Sequence, residues 1–129
     1  MMRKDQIAGF CRAVEAEDAD AVLATLAPDV RFNNPVTFRP FEGREPLAFV
    51  VPKLLEVWHD LRYVAELHGD ELVGLVFDAR AGTRDVRGID VLHFDDDGLI
   101  DEIIVMVRPL TGLQALASEM EAALSGGGG

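Results

Sequence analysis

The sequence predicts an α+β protein, in which helices pack on a curved mixed or antiparallel β-sheet and a further helix ends the chain. Apolar residues recur at helical spacing through the first half of the chain, and strand-like runs separated by short polar turns follow. Helices that precede a run of strands are typical of this class. The 129 residues fit one domain over residues 1–124, followed by a flexible glycine-rich tail over residues 125–129.

Two helices are predicted at the start of the chain. The apolar stripe of the first, over about residues 4–16, consists of Ile7, Phe10, Cys11 and Val14. Asp18 can cap the second helix, whose stripe lies within residues 19–26, and Pro28 is expected to end it.

A short strand and a third helix come next. The strand, residues 30–32, is closed by a turn at residues 33–35. The third helix is predicted over about residues 45–59 and is the most apolar of the three. Pro46 suits its first turn, whereas Pro52 predicts a kink or a later start.

Four strands are predicted over about residues 62–68, 72–79, 86–94 and 100–108, and short links predict an antiparallel meander. A final helix follows Thr111. Both sides of the last strand are apolar, with Ile103, Val105 and Val107 on one side and Ile104 and Met106 on the other. Since one side meets the first helices, the other is expected to form a homodimer, with the final helix as the alternative cover.

The segment over residues 83–108 predicts a long β-hairpin around an Asp-Gly turn at residues 97–98. Asp90 interrupts its first apolar arm, between Ile89 and Val91. An acid there is costly unless it is paired, hydrogen-bonded or protonated. If its side of the strand lines a cavity, burial raises the pKa of the carboxyl, which can then serve as a donor or as an acid or base.

The composition argues against several classes of partner. A net charge of −11 disfavours nucleic acid and anionic membranes, which bind Lys/Arg patches. The single cysteine, Cys11, and the absence of a long apolar run predict a cytoplasmic protein. His59, His68 and His93 lie in different elements without metal-ligand spacing, so neither a metal nor a cofactor is expected.

Three pieces of the chain carry a family resemblance: residues 19–35, Phe-Glu-Gly-Arg-Glu at residues 41–45, and residues 88–100. Over residues 4–110 the chain resembles the nuclear-transport-factor-2-like (NTF2-like) superfamily, in particular its SnoaL-like polyketide cyclase and ketosteroid isomerase branch. The resemblance implies a cone of helices and bent sheet around an internal apolar pocket. It implies no single activity, because this fold serves several enzyme classes and non-catalytic proteins.

The functional residues of the isomerase branch can be placed one by one. Its oxyanion-donor tyrosine falls on Phe10, its general-base aspartate on Asn34, and its protonated aspartate on Asp90. In the epoxide hydrolase branch the asparagine matches Asn33 and one aspartate matches Asp90, while the rest of the charged triad has no counterpart. Asp90 is thus the one residue of the isomerase site that this chain retains, and the resemblance implies the fold and the pocket more strongly than any chemistry.

These considerations predict a site. Asp90 and Asn34 are the candidate catalytic residues, with Asn34 orienting a ligand or bonding Asp90, or else only shaping its own turn. The candidate pocket walls are Phe10, Val14, Phe38, Leu54, Trp58, Phe77, Leu92, Ile103, Val105 and Val107. Apolar stripes of this kind also form plain core, which is the alternative for each of them.

Two functions are compatible with this site. The first is binding of a small apolar or carbonyl-bearing molecule, with no reaction assigned. The alternative is a cofactor-independent isomerase, cyclase, lyase or epoxide hydrolase that uses Asp90 as its acid or base. The absence of a second ionisable candidate favours the first, since acid–base sites usually combine two groups with separated pKa values.

Overall fold

The computed structural model describes residues 2–127, with side chains for residues 3–125. Four helices and six strands occur in this part of the chain. In chain order they are α1 (Met2–Glu15), α2 (Ala19–Ala24), β1 (Leu26–Asn33), β2 (Phe41–Glu42), α3 (Arg44–Val57), β3 (Trp58–His68), β4 (Leu72–Ala81), β5 (Arg84–Phe94), β6 (Ile100–Arg108) and α4 (Leu110–Gly127).

The strands form one open sheet in the order β2-β1-β6-β5-β4-β3. Strands β3 to β6 make the antiparallel meander that the short links predict, and β5 and β6 are the arms of the predicted hairpin. Strand β1 runs parallel to β6, which makes the sheet mixed. The α+β class is therefore confirmed.

Proline positions explain two errors in the predicted element boundaries. Helix α2 already ends at Ala24, and Pro28 lies inside β1, where the pairing with β6 is irregular between Leu26 and Arg31. A residue without an N–H is tolerated at such an irregularity. Pro28 thus does not end the helix, and the first strand is longer than predicted.

The third helix also differs from its prediction. Helix α3 starts at Arg44 and contains Pro52, so the later start is wrong. It ends at Val57, and Trp58 has extended backbone angles. Trp58 and His59 therefore belong to β3 rather than to a helix, which lengthens the edge strand at its start.

The sheet has two faces of different character. In β5, the buried residues Val86, Gly88, Asp90 and Leu92 alternate with more exposed ones. We call the side that meets the helices the inner face and the other side the outer face. This alternation follows from the two-residue period of a strand and places Asp90 on the inner face.

Helix α4 packs on the inner face. A Cβ built on Gly112 would meet the Val86 side chain, and Leu116 keeps only 1% of its surface exposed. On the outer face, Met106 remains 51% exposed and Leu67 57% exposed. Of the two covers predicted for the outer face, the final helix is therefore excluded.

The C-terminal end of the described chain is helical. Helix α4 continues through residues 125–127 of the predicted tail, and residues 128–129 lie outside the described residues. The single domain and its flexible end stay predictions. None of the helices within residues 2–127 is both long and apolar enough to cross a bilayer.

Candidate functional site

A cavity of about 420 Å³ lies between the inner face and the helices. Its wall is mainly apolar and takes residues from all four described helices and all six described strands. Among the described residues that line it, the charged side chains are Asp90 and Glu121, and none is Lys, Arg or His. The cavity is therefore a mainly apolar space whose charged lining groups are both acids.

Asp90 lies in the middle of the inner face. It pairs with Leu75 of β4 and Val105 of β6, so apolar side chains flank its carboxyl on both sides. The residue is 7% exposed. Burial raises the pKa of Asp90 from 3.8 to about 6, because the charged form loses its hydration.

Tyr63 supplies the hydrogen bond of Asp90. Its hydroxyl donates to Oδ2 at 2.6 Å, and this bond lowers the pKa of Asp90 against the larger effect of burial. Burial, and then the charge of Asp90, raise the pKa of Tyr63 well above 10, so its hydroxyl keeps its proton. The other carboxyl oxygen of Asp90, Oδ1, accepts no hydrogen bond from any of the described residues.

Tyr63 is a site residue that was not predicted from the sequence. Tyr63 pairs with Phe77 of β4, and Phe77 pairs with Gly88 of β5, so the tyrosine reaches Asp90 across an intervening strand. Its ring meets Phe77 edge-on, with centroids 6.0 Å apart. The available signal was the presence of one tyrosine in the chain, at an alternate position of a predicted strand. Its partner depends on the register of two strand pairs.

Asn34 lies at the rim of the cavity, but its amide serves its own loop. Its Oδ1 accepts from the backbone N–H groups of Val36 and Thr37, both at 2.9 Å, and its Nδ2 donates to the Thr37 hydroxyl at 3.0 Å. This is the usual turn chemistry of asparagine. The structure brings Asn34 to the cavity but not into hydrogen-bond contact with Asp90.

The predicted wall residues divide into two groups. Those that line the cavity are Phe10, Val14, Leu54, Trp58, Phe77, Ile103 and Val105. Phe38, Leu92 and Val107 do not line it. Phe38 projects from an irregular loop and is fully exposed, Leu92 is packed in the core beyond Asp90, and Val107 lies in a groove near the end of β6.

One side of the cavity was not predicted at all. Helix α4 contributes Leu116, Ala117, Met120, Glu121 and Leu124 to the lining. The sequence pattern identifies this apolar stripe but not the face of the sheet on which it packs. Within residues 2–127, no group of three His, Cys, Asp or Glu side chains is placed to hold a metal ion.

Comparison with known families identifies the chain. The SnoaL-like domain family matches residues 7–103, which is most of the chain. This chain belongs to the SnoaL-like domain family. Solved structures of an NTF2-like protein and of a SnoaL-like protein share its fold, and together with the family match they confirm the resemblance seen in the sequence. No curated protein matches the sequence.

Two similar solved structures share more than 30% of their residues with this SnoaL-like protein. A steroid delta-isomerase from Pseudomonas aeruginosa is 34% identical over 97% of this chain and 93% of its own, with a TM-score of 0.90. An uncharacterised protein with a cystatin-like fold from Silicibacter pomeroyi DSS-3 is 31% identical over 91% of this chain and 83% of its own, with a TM-score of 0.86.

A third structure shares the fold alone. It is an epoxide hydrolase/cyclase-like enzyme, SalBIII, with a role in pyran ring formation in the polyether salinomycin. It is 20% identical over 85% of this chain and 92% of its own, with a TM-score of 0.70. Structural neighbours of this SnoaL-like protein thus include enzymes of more than one reaction class.

Proposed function

We propose that this protein binds a small, uncharged and mainly apolar molecule that carries a carbonyl group, with no reaction assigned. The observation that carries the proposal is the 2.6 Å hydrogen bond between Tyr63 and Asp90 on the wall of an otherwise apolar cavity of about 420 Å³. Apolar pockets of this size with a few convergent polar groups are typical binding sites for small molecules.

The charges around the cavity support an uncharged ligand. The described lining contains the acids Asp90 and Glu121 and no basic side chain, and the whole chain carries a net charge of −11. An anion entering this cavity would lose its hydration without gaining a cation. Neutral molecules are therefore favoured over carboxylates and phosphates.

The hydrogen bond explains why a carbonyl group fits. Tyr63 donates to Oδ2, so a proton taken up by Asp90 goes to Oδ1, the oxygen without a partner among the described residues. A protonated carboxyl donates a hydrogen bond to a carbonyl oxygen, whereas a carboxylate repels it. A carbonyl ligand should therefore bind more tightly as the pH falls through about 6.

A fluorescent ketone can test this function. Prodan, a neutral naphthyl ketone, is expected to bind with a blue-shifted emission, and the matching naphthoic acid is expected to bind much more weakly. Ala117 lines the cavity, so Ala117→Phe should abolish the prodan signal by filling the space. Equal binding of prodan by the wild type and Ala117→Phe would contradict the proposal.

A second candidate function is catalysis of proton transfer, as in a cofactor-independent isomerase, cyclase, lyase or epoxide hydrolase. The observation in its favour is the pKa of about 6 for Asp90, which keeps both protonation states populated near neutral pH. The similar steroid delta-isomerase from Pseudomonas aeruginosa, 34% identical, adds support. Asp90 would move the proton and Tyr63 would stay protonated as a donor.

Proton exchange separates the two functions. An acid–base enzyme should speed the exchange of the acidic C–H protons of cyclohexenone for deuterium in D2O, followed by NMR. Asp90→Asn should abolish this exchange but keep prodan binding, since its amide still donates to a carbonyl. If the wild type exchanges no faster than Asp90→Asn, catalysis of this kind is wrong and binding alone remains.

We also propose that two copies associate through the outer face of the sheet. Met106 and Leu67 are about half exposed there, and α4 lies on the opposite face. Large exposed apolar patches usually mark contact surfaces. Light scattering at micromolar concentration should give a dimer for the wild type and a monomer for Met106→Lys. A monomeric wild type would overturn this proposal.

A cytoplasmic location also remains a proposal. Its support is the free thiol of Cys11, the one cysteine of the chain. Burial raises the pKa of this thiol to about 12, so it is expected to resist oxidation. Fractionation of cells that produce the tagged protein would test the location.

A further inference from the structure

Tyr63 lies on the edge strand of the sheet, where its backbone has a partner outside the sheet. Strand β3 is last in the strand order and, within residues 2–127, pairs with β4 alone. On the open side, the backbone N–H of Tyr63 donates to Oε2 of Glu15 at 2.9 Å. Glu15 is the last residue of α1, so the end of this helix is bonded to the strand at the residue that carries the hydroxyl.

The ladder around Tyr63 is irregular. The register between β3 and β4 shifts between His59 and Arg62, and again between Tyr63 and Ala65. Only Arg62 and Tyr63 pair regularly with β4 between these two shifts, since each irregularity interrupts the ladder and bends the strand. The position of Tyr63 then depends more than usual on contacts from outside the sheet.

Helix α1 provides two such contacts. Phe10 meets the Tyr63 ring at a centroid distance of 6.3 Å, and Glu15 binds its backbone. The hydrogen bond from the Tyr63 hydroxyl to Asp90 depends on the exact position of the ring, because hydrogen bonds weaken steeply as their distance and angle depart from the optimum. A displacement of the Tyr63 backbone at the edge of the sheet would move the hydroxyl and weaken its hydrogen bond to Asp90.

We propose that Glu15 is a positioning residue, whose carboxylate holds the Tyr63 backbone so that the hydroxyl meets Asp90. This inference deepens the proposed function and rests on it, since the Tyr63–Asp90 pair is what the ligand would meet. Glu15 is exposed and accepts the bond from the solvent side of the molecule, so it acts without touching the cavity. Its charge also helps raise the pKa of Tyr63, which keeps the hydroxyl protonated.

The apo protein provides the first test, through the pKa of Asp90 measured by carboxyl-carbon NMR. Tyr63 lowers that pKa, so Tyr63→Phe should raise it above about 6. Glu15→Ala should raise it in the same direction. Glu15→Gln should keep the wild-type value, because its amide oxygen accepts the same backbone bond.

Glu17→Ala is the matched control, because Glu17 is a nearby exposed acid whose side chain makes no hydrogen bond among the described residues. It should leave the pKa of Asp90 unchanged. A wild-type Asp90 pKa in Glu15→Ala would overturn the proposal. Equal shifts in Glu15→Ala and Glu15→Gln would also overturn it, since the charge rather than the bond would then be responsible.

Prodan affinity is the second readout and keeps the two proposals separable. Glu15→Ala should weaken prodan binding roughly two- to tenfold, as expected for one impaired hydrogen bond, and Glu15→Gln should restore it. If the wild type binds no prodan, the proposed function fails while the titration of the apo protein still decides the role of Glu15. Loss of prodan affinity without a change in the Asp90 titration would contradict positioning.

Discussion

Two aspartates on opposite faces of the sheet, Asp78 and Asp90, show how strongly the face decides their chemistry. Asp78 lies on the outer face and accepts two hydrogen bonds from Arg87, at 2.7 and 2.9 Å. This bonding lowers the pKa of Asp78. Asp90 lies on the inner face with one neutral donor, Tyr63, and burial raises its pKa to about 6. Strands β4 and β5 are neighbours, so the difference comes from the surroundings.

The two acids affect stability in opposite directions. The folded protein binds the Asp90 proton more tightly than the unfolded chain, so the free energy of unfolding falls as the pH rises from about 3.8 to about 6. The lowered pKa of Asp78 acts oppositely: its stabilising effect is present above the unfolded pKa and is lost as the pH falls through the folded one. The charged form of Asp90 thus lowers the stability of the folded protein, and groups with such shifted pKa values are common at functional sites.

The largest difference between the faces is expected for aromatic packing. Phe77 is 1% exposed and meets both Trp58 and Tyr63 edge-on. Phe77→Ala should lower the free energy of unfolding by about 3–5 kcal/mol, because it leaves a large void. Val64→Ala at a half-exposed position should cost about 0.5 kcal/mol or less. Urea denaturation measures both, and similar losses would contradict the distinction between the packed inner face and an exposed position.

The next effect concerns the charge of Asp90. Asp90→Asn cannot ionise, so its stability relative to the wild type should rise by about 3 kcal/mol as the pH goes from below 3.8 to above about 6. Urea denaturation at a series of pH values gives this difference directly. Asp78→Asn serves as the control and should show a difference of the opposite sign. A pH-independent difference for Asp90→Asn would mean that the pKa of Asp90 is not raised.

Two glycines test how rigid each face is. A Cβ on Gly88 would meet the Phe77 ring on the inner face and lie 2.8 Å from the Met106 carbonyl oxygen, so Gly88→Ala should cost about 1–3 kcal/mol. A Cβ on Gly74 would lie 3.0 Å from Cδ1 of Ile89, the flexible end of a side chain on the outer face. Gly74→Ala should therefore cost less in thermal denaturation. The reverse order would contradict a tightly packed inner face.

The smallest effect is expected for the exposed ion pair. Arg87→Ala should return the pKa of Asp78 towards its ordinary value, because the bonds from Arg87 are the main cause of its lowering. The thermal midpoint near neutral pH should hardly change, since exposed pairs contribute little to stability. NMR titration of Asp78 and calorimetry measure the two quantities. A large drop in the midpoint would show that the outer face depends on this pair.

Local patterns predicted most of the elements, and the errors fall where packing overrides them. The β5–β6 hairpin follows from an Asp-Gly turn between apolar runs, and its alternation already places Asp90 among apolar neighbours. Pro28 and Trp58 were misplaced because a strand irregularity and an early helix end are decided by the neighbouring strands. Propensity is a weak guide at such boundaries.

The candidate site was predicted only in part, for a related reason. Asp90 stands out in the sequence because an acid in an apolar strand needs an explanation. Its partner Tyr63 is 27 positions away, and only the registers of β3 with β4 and of β4 with β5 bring them together. Asn34 illustrates the opposite case, since its bonds stay within its own turn.

The sequence by itself determined the α+β class, the hairpin, the SnoaL-like resemblance and the unusual position of Asp90, because these depend on periodicity and on residues close together in the chain. The tertiary structure alone decided that Tyr63 binds Asp90, that Glu15 binds Tyr63, and that α4 closes the cavity from the inner face. Such contacts depend on strand register and on the packing of distant elements, which a one-dimensional pattern does not specify.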